Sequence, residues 1–167
     1  MIKHIALPAA LLLATPALAQ DEPAPQPTSG APGSLAWFNQ QQVALHSRSP
    51  AEGWHRLEGG VLFRRVAGDG TGPAPTLRDQ ITIHYTGSFT DGSVFDSSVQ
   101  RGQPATFPLA GLIRGWQVAI PYMGVGDTIE IAIPAEMAYG LQGRGPIPGG
   151  ATLLFTIELF AIPSQGV

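Results

Sequence analysis

The chain has 167 residues, 44% of them hydrophobic, a length that suits one globular domain with additional sequence attached. Beyond residue 19 it carries eight arginines, no lysine and twelve carboxylates, a net charge of −4, which argues against a nucleic-acid partner and leaves no lysine for a phosphate-binding loop or a Schiff base. With no cysteine, thiol catalysis, iron–sulfur clusters and Cys-based zinc sites are excluded, and stability must come from packing alone.

Lys3 and His4 precede an apolar run from Ile5 to Ala19 that ends Ala17-Leu18-Ala19. A basic start, a short apolar core and an A-x-A end predict a secretory signal peptide over 1–19, cleaved after Ala19, and an exported, periplasmic product. The competing expectation is a retained membrane anchor. The run has 15 residues and two prolines against the roughly 20 apolar residues of a spanning helix, and no later run is longer, so no stable membrane span is expected after processing. Residues 20–33 alternate proline with small and polar residues, as an extended linker does.

Within the next segment, 34–59, Ser34 is a candidate helix cap, and Leu35, Phe38, Gln42 and Leu45 fall near a helical period. One short helix follows, which must dock on the main domain or on another chain. From residue 60 the period becomes two. Val61–Val66, Gln80–Tyr85, Val94–Asp96, Thr128–Ile133 and Thr152–Phe160 read as strands, with Thr90-Asp91-Gly92 as a hairpin turn. Leu112–Ile120 fits about two helical turns ending at Pro121, and Tyr139–Gly150 is a loop dense in Gly and Pro. The expected fold is therefore α+β: a five-stranded curved antiparallel sheet wrapped around one short helix, preceded by a short N-terminal helix, with the main domain at 60–163.

Familiar catalytic signatures are missing. The sequence has no G-x-S-x-G and no H-E-x-x-H, and His4, His46, His55 and His84 do not stand at metal-ligand spacing. Gly68–Gly72 looks superficially nucleotide-like, but Pro73 follows it and no helix does, so it reads as a turn. Neither a metal nor a cofactor is expected. What remains is a set of aromatic residues at irregular places: Tyr85 at a strand end, Phe95 after the hairpin, Phe107 between prolines, Trp116 in the short helix, Tyr139 in the Gly/Pro loop and Phe155 in the last strand. Core packing explains any one of them; Tyr139 fits that explanation least, because loops of this composition run on the surface.

At these residues the sequence resembles the FKBP family of peptidyl-prolyl isomerases. The resemblance lies in His84-Tyr-Thr-Gly87, Asp91-Gly-Ser-Val-Phe-Asp-Ser-Ser98, Pro104–Leu109, Leu112-Ile-Arg-Gly-Trp116, Met123–Gly126, Ala138-Tyr-Gly140 and Ile147–Phe155, seven stretches in the family's order over about a hundred residues. It is nearest to the bacterial exported members. It implies a substrate pocket of Tyr85, Phe95, Phe107, Leu112, Trp116 and Phe155, with Asp96, Ile113 and Tyr139 as the catalytic set. Trp116 would form the floor, the Ile113 N–H and the Tyr139 hydroxyl would hold substrate carbonyls, and Asp96 would orient the Tyr85 side. It also implies proline-containing unfolded or exported polypeptides as partners, with tacrolimus or rapamycin as possible ligands. Ala105 stands where many members have an aromatic, Arg144 near where some carry histidine, and Gly149-Gly150 in place of a more rigid pair; these departures bear on substrate preference and loop rigidity. A proline-binding chaperone or interaction module with weak turnover is the alternative on the same fold.

Overall fold

In the computed structural model, residues 30–167 are described; the candidate signal peptide at 1–19 and the linker as far as residue 29 lie outside them. The strand Gln80–Ser88 (β3) shows how the sheet arises. Ile81, Ile83 and Tyr85 alternate with polar residues, and the alternation puts all three on one buried face. Leu153–Ala161 (β7) repeats the pattern with Leu153, Phe155, Ile157 and Leu159, and Thr128–Ile133 (β6) with Ile129, Ile131 and Ile133. The three faces form one apolar surface.

The remaining strands are His55–Arg56 (β1), Leu62–Ala67 (β2), Val94–Ser97 (β4) and Ala105–Pro108 (β5). The order is β1-β2-β6-β7-β3-β4, with every pairing antiparallel. β5 also pairs with β3: Thr86–Ser88 face β4, while Gln80–Ile83 face β5, so one edge of β3 is shared by two short strands. The sheet thus has seven strands where five were expected. β1 is too short to show a period, and Pro104 and Pro108 hide the strand character of β5; its Ala105 and Phe107 nonetheless alternate inward.

The helix Arg114–Ala119 (α2) lies on the apolar surface through Trp116 and Ala119 and passes directly into a 310 turn, Ile120–Tyr122, that contains Pro121. Opposite the pocket end, buried Asp127 accepts hydrogen bonds from Arg65 Nε (3.0 Å), the Gly70 N–H (3.0 Å) and the Gly124 N–H (2.8 Å), which fixes the Gly68–Gly72 turn.

The helix Leu35–His46 (α1) begins where expected, with the Ser34 hydroxyl accepting from the Trp37 N–H at 3.2 Å. Its docked face differs from the expected one. Trp37, Gln41 and Leu45 are buried, whereas Leu35 is 76% exposed. A polar residue in the middle of the buried stripe masked the period. Leu45 packs in a second small core with Trp54, Leu62 and Ala132, and β1 joins the sheet edge, so the segment before residue 60 is knit to the sheet at both ends. Among the described residues no helix is long and apolar enough to cross a membrane.

Candidate active site

A cavity of about 250 Å³ opens between the concave face of the sheet and α2. The sequence-derived site residues reach it from seven separate places. Tyr85 comes from β3, Phe95 and Asp96 from β4, Phe107 from β5 and Phe155 from β7; Leu112 and Ile113 come from the turn before α2, Trp116 from α2 itself and Tyr139 from the Gly/Pro loop. All nine line the same concavity, joined by Gly111 and Arg144. The rings stand mostly edge to face: Trp116 lies 5.0 Å from Phe155 at 87° and 5.4 Å from Tyr85 at 76°, Phe95 lies 5.6 Å from Phe155 at 90°, and Phe107 lies 6.1 Å from Tyr85 at 59°. Such contacts set the positive ring edge on the negative face and fix the rings beyond what burial alone does. Gly87 makes this approach possible, because a Cβ there would stand 2.6 Å from both Phe155 Cε1 and Phe95 Cζ.

One side of the pocket is polar. The Tyr85 hydroxyl donates to Asp96 Oδ2 at 2.6 Å and accepts from Arg101 Nη2 at 2.9 Å, while Arg101 Nη1 closes the triangle onto Asp96 Oδ1. The guanidinium also lies over the Tyr85 ring, 5.6 Å from its centroid. Burial, reinforced by the hydrogen bond to Asp96, pushes the Tyr85 phenol above its ordinary value, so it stays neutral. Burial acts to raise the Asp96 carboxyl too, but the hydrogen bonds from Tyr85 and Arg101 outweigh it and hold the group below the usual carboxylate range. The floor behaves differently. Trp116 is 4% exposed, and its Nε1–H is buried without a hydrogen-bond partner among the described residues.

With this geometry in view, comparison with known protein families matches residues 72–160 to the family described as FKBP-type peptidyl-prolyl cis-trans isomerase. The chain belongs to that family. It is 46% identical over 119 residues to the FKBP-type 22 kDa peptidyl-prolyl cis-trans isomerase of Escherichia coli, covering 71% of this chain and 57% of that one. It is 44% identical over 118 residues to the isomerase FkpA of Aeromonas hydrophila, covering 71% and 44%. The chain therefore spans about half the length of these relatives. Among solved structures, a peptidyl-prolyl cis-trans isomerase from Pseudomonas syringae superposes with a TM-score of 0.69 at 32% identity, covering 76% of this chain and 93% of that one. FkpA from Escherichia coli gives 0.68 at 31%, covering 76% and 64%.

Two contributors to this FKBP pocket escaped sequence reasoning. Arg101 lies in the turn after β4, where an isolated arginine carries no periodic or motif signal; its part in the Asp96–Tyr85 triangle is visible only in three dimensions. Gln117 was likewise unmarked. Its Nε2 donates to the Leu112 carbonyl at 2.7 Å and to the Ala110 carbonyl at 3.1 Å. The Leu112 carbonyl and the Ile113 N–H belong to one planar trans peptide, so fixing the carbonyl aims the N–H the opposite way. Ile113 is the cap residue of α2, ahead of the first turn, where a backbone N–H has no acceptor within the helix. His84, by contrast, stays outside the pocket: its Nδ1 is 2.9 Å from Ser98 Oγ, and its ring packs edge-on against Phe160.

Proposed function

We propose that the chain catalyses cis/trans isomerisation of X-Pro bonds in proline-containing, unfolded exported polypeptides. The observation that carries this is the ring-walled cavity over Trp116, with hydrogen-bonding groups at its rim and Tyr85 kept neutral. Rotation about the imide bond breaks amide resonance across a barrier of roughly 18–20 kcal/mol. The twisted state has less charge separation than the planar one, so a dry aromatic enclosure disfavours the planar ground state more than the transition state, which is differential binding. A 10⁴-fold acceleration requires only about 5.4 kcal/mol. Exclusion of water by Tyr85, Phe95, Phe107, Leu112, Trp116 and Phe155, together with carbonyl contacts from the Ile113 N–H and the Tyr139 hydroxyl, can supply it without nucleophile, proton transfer, metal or cofactor. Asp96 and Arg101 hold the Tyr85 wall in place.

The decisive experiment is a protease-coupled assay on an Ala-Leu-Pro-Phe peptide. Catalysis by the folded protein is expected; no acceleration would leave only a binding module. Tacrolimus or rapamycin should compete for the same cavity, and calorimetry showing neither heat nor competition would contradict that assignment. We further propose export to the periplasm with cleavage after Ala19, to be checked by mass spectrometry of the mature N-terminus, a linker over 20–33, and a catalytic unit at 60–163 against which residues 34–59 dock.

A further inference from the structure

The family match begins at residue 72, so helix α1 lies outside it, yet α1 touches both loops that flank the pocket. Its contact is polar at the centre. Gln41 is 3% exposed, midway between buried Trp37 and Leu45. Its Oε1 accepts from the Thr152 backbone N–H at 2.9 Å, and because that group can only donate, the orientation of the amide is fixed. Its Nε2 then donates to Thr90 Oγ1 at 3.1 Å and to the Trp37 carbonyl at 3.3 Å, and the Gln41 carbonyl accepts from the Thr152 hydroxyl at 3.4 Å.

The two residues it joins sit at strategic ends. Thr152 stands two residues after the 139–150 loop that carries Tyr139 and Arg144 and immediately precedes β7 with Phe155. That loop is closed by the Gly150 N–H donating to the Gly140 carbonyl at 2.8 Å, and α1 abuts the closure, since a Cβ on Gly150 would stand 2.6 Å from Phe38 Cε1 and 3.3 Å from Trp37 Cζ3. Thr90 lies in the hairpin turn next to Phe89, whose ring packs 4.9 Å from the pocket ring Phe95. One buried amide therefore ties the end of the Tyr139 loop to the hairpin behind Phe95.

We propose that Gln41 is a positioning residue of the pocket: α1 acts through it as a brace that holds the Tyr139 loop and the Phe95 hairpin in the arrangement that admits substrate. The proposal rests on the isomerase assignment of this cavity. Replacing Gln41 by leucine keeps the size and burial but leaves the Thr152 N–H without an acceptor. The loop then populates displaced states. Because apparent affinity falls with the competent fraction, KM for the Ala-Leu-Pro-Phe peptide should rise about three- to tenfold while kcat changes little. A merely structural role would do the reverse, lowering kcat in proportion to lost folded protein at constant KM.

The test pairs that kinetic split with amide hydrogen exchange on the full chain. In Gln41→Leu, exchange in 139–152 and 89–93 should quicken by on the order of tenfold while the β3 and β6 amides keep wild-type rates. Wild-type exchange in both loops, or a kcat loss at unchanged KM, would overturn the brace. Should Gln41→Leu fail to fold, Thr90→Ala removes one arm only; faster exchange at 89–93 with a raised KM supports the proposal, and wild-type values overturn it. A wild-type protein without turnover would sink the isomerase assignment, while exchange in 139–152 would still decide whether the brace exists.

Discussion

Removing the Tyr139 hydroxyl is the sharpest probe of how the pocket grips its substrate. The Tyr139 ring is half-buried against the core, so Tyr139→Phe keeps that contact and deletes one oxygen at the rim. If the hydroxyl donates to a neutral substrate carbonyl in the twisted state, the loss should equal one net hydrogen bond, about 0.5–1.5 kcal/mol. At 1.36 kcal/mol per decade this is about a two- to thirteenfold fall in kcat/KM. Tyr139→Ala should cost more, because it also strips an apolar wall and admits water. Protease-coupled kinetics on the same peptide, with thermal melts as control, read both numbers. The melt of Tyr139→Phe should overlay wild type. An unchanged kcat/KM in Tyr139→Phe would refute the assigned role, and a fall of several hundredfold would mean that the hydroxyl does something other than donate one neutral hydrogen bond.

Four further outcomes are expected. Trp116→Ala empties the floor of a nearly fully buried ring and should cost about 3–5 kcal/mol in urea unfolding, a large share of a typical total of about 5–15 kcal/mol; Trp116→Leu should fold more securely and still lose most turnover. Gly87→Ala should displace Phe95 and Phe155, at a stability cost of about 1–3 kcal/mol and with weaker ligand binding by calorimetry, since its Cβ would overlap both rings. The pH dependence should separate function from stability: with Tyr85 neutral and Asp96 ionised, kcat/KM should be flat from about pH 5.5 to 8.5. Because the folded-state pKa of Asp96 is depressed, its stabilising contribution is present above the unfolded value near 4 and is lost as pH falls through the folded value, so Asp96→Asn should show a shallower acid-side decline in melting temperature. Asp79 follows the same sign: hydrogen bonds from the Thr76 N–H, Ser164, the Thr76 hydroxyl and Gln165 hold its carboxyl far below the ordinary range, so the Pro163–Gln165 turn should stay tied to it until strongly acid pH.

Where a stretch of sequence obeys one local rule, its place could be read directly. The alternation of Ile81, Ile83 and Tyr85 set the face of β3 and Ser34 marked the start of α1, while nine of the residues that line the cavity were named by the resemblance to the FKBP family. Features that depend on two distant segments were invisible. The two-residue β1 exists only because Leu62 and Phe63 face it. β5 is held as a strand by β3 in spite of Pro104 and Pro108. The docked face of α1 was misassigned because its centre is Gln41, whose burial is explained by Thr90 and Thr152, far along the chain. Arg101 has meaning only once Tyr85 and Asp96 meet.

The strand order has a consequence for how the protein is made. β7 lies between β6 and β3, so the sheet consists of two unjoined halves until residues 153–161 are available. Those residues form the last of the seven strands of this sheet in chain order, and they also bring Phe155 to the pocket. Long-range pairing of this kind delays folding until the distant segment arrives. A growing chain therefore keeps the two halves apart until that strand is made, and the aromatic cage closes only when its keystone is delivered.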